Sequence, residues 1–284
     1  MQELDSDRVP FPRISEAIKR QFSVGDLSLR RFGVLGQDRE VNFNQPLRPY
    51  LEVEILECCT CDGNNITPTR DFFWSLELGT RIECLLAIAT IPDRSEFTIP
   101  LRCLNPDCKQ PIEIDFSMEE FSNLQAETKS GTETEIEIGN QRFSIRKPNG
   151  FDQLYWLKQP FSDEKSAVQT MLQTLLPQEQ KVTFDPAALV GENWVQIFNQ
   201  AMEDIDPLVN FKVEVNCPFC GKQDRHSIDL GKFSLQRLRN AQKQLLETIH
   251  RLASRYHWNE REISELPAWR RDYYLALIDR EENR

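Results

Sequence analysis

Four cysteines in this 284-residue chain have the types and spacing to do chemistry. They form two short pairs, Cys103-Leu-Asn-Pro-Asp-Cys108 and Cys217-Pro-Phe-Cys220. Each pair ends an alternating apolar run and is followed by polar residues and a second such run, Ile112-Glu-Ile-Asp-Phe116 after the first and His226-Ser-Ile-Asp-Leu230 after the second. Two thiolates on one tight turn fill half of a tetrahedral metal shell, and two such turns facing each other complete it. The pattern therefore predicts a split zinc ribbon, with one structural Zn2+ held by Cys103, Cys108, Cys217 and Cys220. Gly221 suits the turn that points backbone N–H groups at a thiolate, because glycine tolerates positive φ. The competing reading is buried thiols or a disulfide, which a reducing compartment disfavours.

The other candidates are weaker. His226 could replace a thiolate, but the four cysteines already complete a shell, so it is expected on the surface. His250 and His257 lie two turns apart on one helix, about 10.5 Å at the α-helical rise, and cannot share a metal. Cys58, Cys59 and Cys61, with Cys84 as a fourth ligand, could make a second metal site; buried free thiols are the alternative. No phosphate-cradling glycine loop and no H-E-x-x-H motif is present in the sequence. A four-thiolate shell also leaves no open position to activate water. The chain is not expected to be an enzyme.

The elements that must position the cysteines give an α+β fold. Residues 1–49 read as a weakly structured N-terminal extension punctuated by prolines. Residues 50–110 hold helical segments and the first knuckle, with Tyr50–Leu56 alternating like a strand or a helix start. An insertion over 111–210 contains a hairpin, 133–138 and 142–146 around Gly139-Asn-Gln, then short helices, one of them opening at Asp185-Pro186. The second knuckle spans 211–231, and a C-terminal helix pair spans 232–284. In that pair Leu238, Ala241, Leu245, Ile249, Leu252 and Tyr256 recur at three- and four-residue intervals and make one apolar stripe, expected to face the ribbon or the insertion. Asn259 and Glu262 form a capping box, and a last helix starts near Pro267.

Charged residues make up 28% and the hydrophobic set 39%, an ordinary globular balance, and no apolar stretch reaches membrane-spanning length. The net charge of −11 argues against nucleic-acid binding, which depends on neutralising phosphates with Lys and Arg. The insertion holds 17 acidic against 7 basic residues, and Lys232 to Arg261 holds 7 basic against 2 acidic. On the last helix Trp269, Arg270, Arg271, Tyr273 and Tyr274 are side-chain types that anchor interfaces, and they are the candidate partner-binding residues.

Several stretches together resemble the T4-type phage baseplate protein family, also described as baseplate hub assembly chaperones, with relatives in contractile injection systems. They are Leu78-Gly-Thr-Arg81, Ile145-Arg-Lys-Pro-Asn-Gly-Phe-Asp152, Ala201-Met-Glu-Asp-Ile-Asp-Pro207, Cys217-Pro-Phe-Cys-Gly221 and the ending Ile249 to Leu275. His250, Ala253, Tyr256, Trp258, Pro267, Arg270, Arg271 and Tyr274 fit the family's pattern in the long and terminal helices. The wider C-x4-C spacing of Cys103 and Cys108 and the cysteines at 58–61 depart from it. The resemblance covers roughly 71–278. It implies a non-enzymatic structural or assembly role, with baseplate, hub or tail-tube proteins as partners. The acidic start Met1-Gln-Glu-Leu-Asp has no signal-peptide character, which predicts a cytoplasmic location during assembly, with retention in the finished particle left open. The other function class is a zinc-ribbon module bound to nucleic acid or the transcription machinery, which the acidic balance disfavours.

Overall fold

The computed structural model describes residues 8–93, 96–127, 133–138, 141–184 and 193–282. Strand β1 (Arg8–Pro10), helix α1 (Glu16–Phe22) and strand β2 (Leu27–Arg30) come first, and helix α2 (Arg48–Cys59) runs directly into strand β3 (Thr60–Asp62). The three strands make an antiparallel sheet with β2 in the centre, Val9 opposite Leu29 and Ser28 opposite Cys61. This differs from the weak structure expected over 1–49. The reason lies in the hydrogen bonding around one buried carboxylate rather than in periodicity. Asp38 is fully buried, and its carboxylate takes a bidentate pair from Arg30 at 2.6 and 3.0 Å and the N–H groups of Gly33, Val34 and Leu35. That arrangement orders a loop with no repeating apolar pattern.

Helix α2 shows why the alternating Tyr50–Leu56 stretch is not a strand. Leu51, Val53, Ile55 and Leu56 are buried together with Glu52. Glu52 can be buried because Arg48 pairs with one of its oxygens at 2.7 Å and Arg81 with the other at 2.9 Å. Helix α3 (Arg70–Ser75) supplies Phe72, Phe73 and Trp74 to the same core. Helix α4 (Leu78–Thr90) is buried on nearly all sides and forms the spine of the molecule.

Strands β4 (Glu96–Arg102) and β5 (Pro111–Ser117) pair along their whole length, with Ile99 opposite Ile114, and lead into helix α5 (Met118–Glu127). The rest of the insertion follows. Its hairpin, β6 (Glu133–Ile138) with β7 (Gln141–Arg146), places Ile136 opposite Phe143; the expected turn residues Gly139 and Asn140 lie outside the described residues. Helices α6 (Gly150–Trp156), α7 (Glu164–Leu175), α8 (Gln178–Thr183) and α9 (Trp194–Ile205) come next. The hairpin packs with α7 and α9 around Trp194, Phe198 and Leu172 in a core of its own. The helix start expected at Asp185-Pro186 lies outside the described residues.

Strands β8 (Lys212–Asn216) and β9 (Gln223–Ser227) form the last hairpin, and helix α10 (Leu230–Tyr256) is capped by Asp229, whose side chain accepts the Lys232 N–H. Helices α11 (Glu260–Glu265) and α12 (Ala268–Glu282) complete the chain, with the Asn259–Glu262 capping box in place. The apolar stripe of α10 faces neither the cysteine hairpins nor the insertion along most of its length. Leu238 joins the α2–α4 core, while Leu245, Ile249 and Leu252 pack with Ile263 and Ile278 of α11 and α12. Only its first turn, through Leu230, reaches the base of the hairpins, beside Phe97, Ile99 and Ile228.

Candidate metal centre

Hairpins β4–β5 and β8–β9 carry the two cysteine turns at their ends, and the turns are built alike despite their different lengths. In the first, the Cys103 N–H donates to the Gln110 carbonyl at 2.9 Å; in the second, the Cys217 N–H donates to the Lys222 carbonyl at 2.9 Å. Lys109, just after Cys108, has φ +50°, and Gly221, just after Cys220, has φ +71°. Gln110 and Lys222, one residue further on, aim backbone N–H groups at Cys108 and Cys220. The extra two residues of the first turn are absorbed before Cys108, where the Asn105 carbonyl accepts the N–H groups of Cys108 and Lys109 at 3.0 and 3.1 Å.

The two turns face each other. Cys103 Sγ lies 3.7 Å from Cys220 Sγ, and Cys108 Sγ lies 3.8 Å from Cys217 Sγ. All four sulfurs lie within 4.8 Å of one another. Four sulfurs at the usual zinc–thiolate bond length of about 2.3 Å sit about 3.8 Å apart along a tetrahedral edge, so this donor set fits a tetrahedral ion of that size. Burial, and then contact with the neighbouring thiols, pushes the Cys103 thiol up to about 12. At Cys108 the Gln110 N–H pulls downward, yet burial and the adjoining thiols leave it raised. The Lys222 N–H draws Cys220 down to about 7. Crowded thiols of this kind ionise together only when a cation balances them. Cys103, Ile112, Val215 and Cys217 form a small apolar cluster under the sulfurs. The cluster could hold one divalent metal ion.

The remaining sulfurs do not join it. Among the described residues, no other group of three or more His, Cys, Asp or Glu side chains converges as metal ligands. Cys59 and Cys84 are buried, and burial raises both thiols well above the ordinary range. Burial likewise pushes Cys58 up to about 11. Cys61 instead lies 3.1 Å from an Arg8 guanidinium nitrogen across the sheet. His226 is buried opposite Val213 rather than on the surface, and it stands outside the four-sulfur set. His250 and His257 are exposed.

Among the candidate partner-binding residues, Arg271 is only 4% exposed and donates to the Val34 carbonyl at 2.8 Å, so it ties α12 to the Asp38 loop. Tyr274 packs with Tyr256 and Trp258 in an aromatic group. Arg271 belongs to the interior, and Tyr274 is half-buried at its edge. Trp269 and Tyr273 are each 57% exposed, and Arg270 is exposed beside the Tyr274 ring.

Three sequence stretches far apart in the chain meet at the first turn of α4. Asp206, at the end of α9, is 1% exposed and accepts the Gly79 N–H at 3.0 Å. Pro148 accepts the Leu78 N–H, and Gly150 donates to the Leu76 carbonyl. Arg146 grips Asp152 at 2.6 and 2.7 Å, and Asp152 closes the capping box on Asn149. Arg81 donates to Gln153 at 2.6 Å, to Glu52 at 2.9 Å and to the Pro49 carbonyl, and its guanidinium lies over Trp74. The sequence singles out these stretches by resemblance, but only the fold shows that their charges meet.

Compared with family models, curated proteins and solved structures, the chain matches none. Among the described residues no helix is long and apolar enough to cross a membrane.

Proposed function

We propose that the chain is a non-catalytic structural or assembly protein of a phage-like contractile tail baseplate or hub, stabilised by one zinc ion in a split ribbon. The observation that carries the zinc is the pair of sulfur contacts, 3.7 and 3.8 Å, which match the edges of a four-thiolate tetrahedron. Zinc bound there has its shell closed by protein ligands, so its contribution is to folding rather than turnover.

The baseplate reading is supported by where its motifs lie. Leu78–Arg81, Ile145–Asp152 and the end of Ala201–Pro207 interlock through the Gly79–Asp206 and Leu78–Pro148 hydrogen bonds. Such positions serve an architecture, as an assembly role requires. The partners are then baseplate, hub or tail-tube proteins, and the exposed Trp269 and Tyr273 on α12 are the anchors available to them.

Affinity capture of the tagged chain from cells building particles, with mass spectrometry of the purified particles alongside, tests this. Recovery of hub or tube proteins supports the reading. Recovery of polymerase or nucleic-acid complexes, or a tight and salt-sensitive gel shift, replaces it with the transcription-associated alternative.

A further inference from the structure

A cleft of about 730 Å³ is lined by α4, α5 and the chain from Val9 to Arg13. Its size is that of a small-ligand or side-chain pocket. The α4 N-cap Glu77 and, on α4, Thr80, Glu83 and Ala87 line it, at the three- and four-residue steps that make a continuous helical surface. Met118, Ser122 and Ala126 line it from α5 at the same spacing. The walls are apolar at Val9, Phe11, Ala87 and Met118.

Glu83 differs from every other group in this cleft. It is only 9% exposed, and Ser122 Oγ donates to its Oε1 at 3.0 Å. Among the described residues no Lys, Arg or His is paired with it, and Asp206 adds a like charge nearby. Lys147, which also lines the cleft, pairs with Glu77 at 3.6 Å, and Arg13 is exposed. Burial raises the Glu83 carboxyl, as expected of a carboxylate that lacks a cation. A nearly buried carboxylate beside apolar walls is complementary to a positive charge carried on an apolar stem.

We propose that the cleft between α4 and α5 binds an aliphatic ammonium group, with Glu83 as counter-ion and Val9, Phe11, Ala87 and Met118 around its methylene stem. Two sources offer this chemistry, a free alkylamine and a lysyl side chain of a polypeptide.

Hexylamine, hexanol and Nα-acetyl-lysine methylamide, titrated against the full chain, give the test. The readouts are the Met118 methyl resonance and the melting temperature. Hexylamine should shift the Met118 signal saturably and raise the melting temperature, with hexanol at least tenfold weaker. Equal or tighter binding of the lysine derivative assigns the site to a polypeptide side chain; binding of hexylamine alone assigns it to small amines. Glu83→Gln keeps an acceptor for Ser122 and should lose the preference for amine over alcohol. Equal binding of hexanol and hexylamine, an unmoved Met118 signal, or an unchanged preference in Glu83→Gln overturns the proposal. The amine–alcohol comparison uses the unaltered chain, so it decides the matter even if the variant does not fold.

Discussion

Asp206 accepts the Gly79 N–H at 3.0 Å, and a methyl group on Gly79 would stand 1.8 Å from Asp206 Oδ1 and 2.4 Å from the Gln125 amide nitrogen. The last turn of α9 therefore seats against the first turn of α4 only because position 79 has no side chain. Gly79→Ala should lower stability by about 1–3 kcal/mol, the usual cost of overpacking a filled interior. Urea unfolding measures it. An unchanged midpoint would mean that the two helix ends are not held together as described.

Asp206 also sets a pH dependence. Burial raises its carboxyl from 3.8 to about 6, against the weaker opposing pull of Lys147, the Gly79 N–H and Gln125. The folded chain thus holds a proton that the unfolded chain has lost between about pH 4 and pH 6. Stability from this group rises as pH falls through about 6 and levels off below about 4, by on the order of 3 kcal/mol in all. Asp206→Asn should flatten the curve over that window. Parallel slopes for the variant and the unaltered chain would remove Asp206 from the account.

The matched turns make opposite predictions at Lys109 and Gly221. Both have positive φ, +50° and +71°, and a side chain in that region costs about 1–2 kcal/mol. Lys109→Gly should stabilise the chain by up to about 1 kcal/mol and Gly221→Lys should destabilise it by a similar amount. Thermal unfolding of the two variants at equal metal content checks both signs.

How much of this was legible in the sequence depends on the range of the interactions involved. The two cysteine turns, the α10 stripe and the Asn259–Glu262 cap are local patterns, and the four sulfurs, the buried Leu238, Leu245 and Leu252, and the cap all appear in the fold. The order within residues 8–49 was not legible. It depends on Asp38 with Arg30, on Gln242 of α10 donating to the Asp38 and Val41 carbonyls at 2.9 and 2.8 Å, and on Arg271 of α12. Gln242 and Arg271 lie some two hundred positions away, and no window of sequence holds them together with this loop. Arg271 was misplaced for the same reason: a terminal arginine beside aromatics looks like an interface anchor until the loop it supports is known. His226 occupies an alternate position in a five-residue strand, too short for its periodicity to separate a buried from an exposed face.

Removal of one thiolate tests the metal centre. Cys217→Ser should abolish stoichiometric zinc, measured by elemental analysis, and lower stability by about 4 kcal/mol or more, because metal affinity in such sites is folding free energy. Chelation of the unaltered chain should move its melting temperature in the same direction. A chain purified without metal, equally stable, would remove zinc from the proposal.

The terminal helix separates interior from surface within three residues. Arg271→Ala removes a buried guanidinium and its bond to Val34, and should cost about 2 kcal/mol. Trp269→Ala should change stability by less than about 0.5 kcal/mol. If α12 is the docking element, Trp269→Ala with Tyr273→Ala should keep zinc and fold but lose captured partners. Retained capture would assign docking elsewhere.

Between Cys108 and Cys217 lie 108 residues, among them both strands of the β6–β7 hairpin and helices α6 to α9. At a synthesis rate of about 5–20 residues per second, the second thiolate pair leaves the ribosome some 5–20 s after the first. During that interval Cys103 and Cys108 are a half-filled chelate, while the acidic lobe, which has its own core around Trp194, can fold before the pairs meet. Any ion taken up by all four sulfurs is therefore captured late, as a clasp that closes on a lobe already in place. The four-sulfur set stays incomplete until translation has passed Cys220.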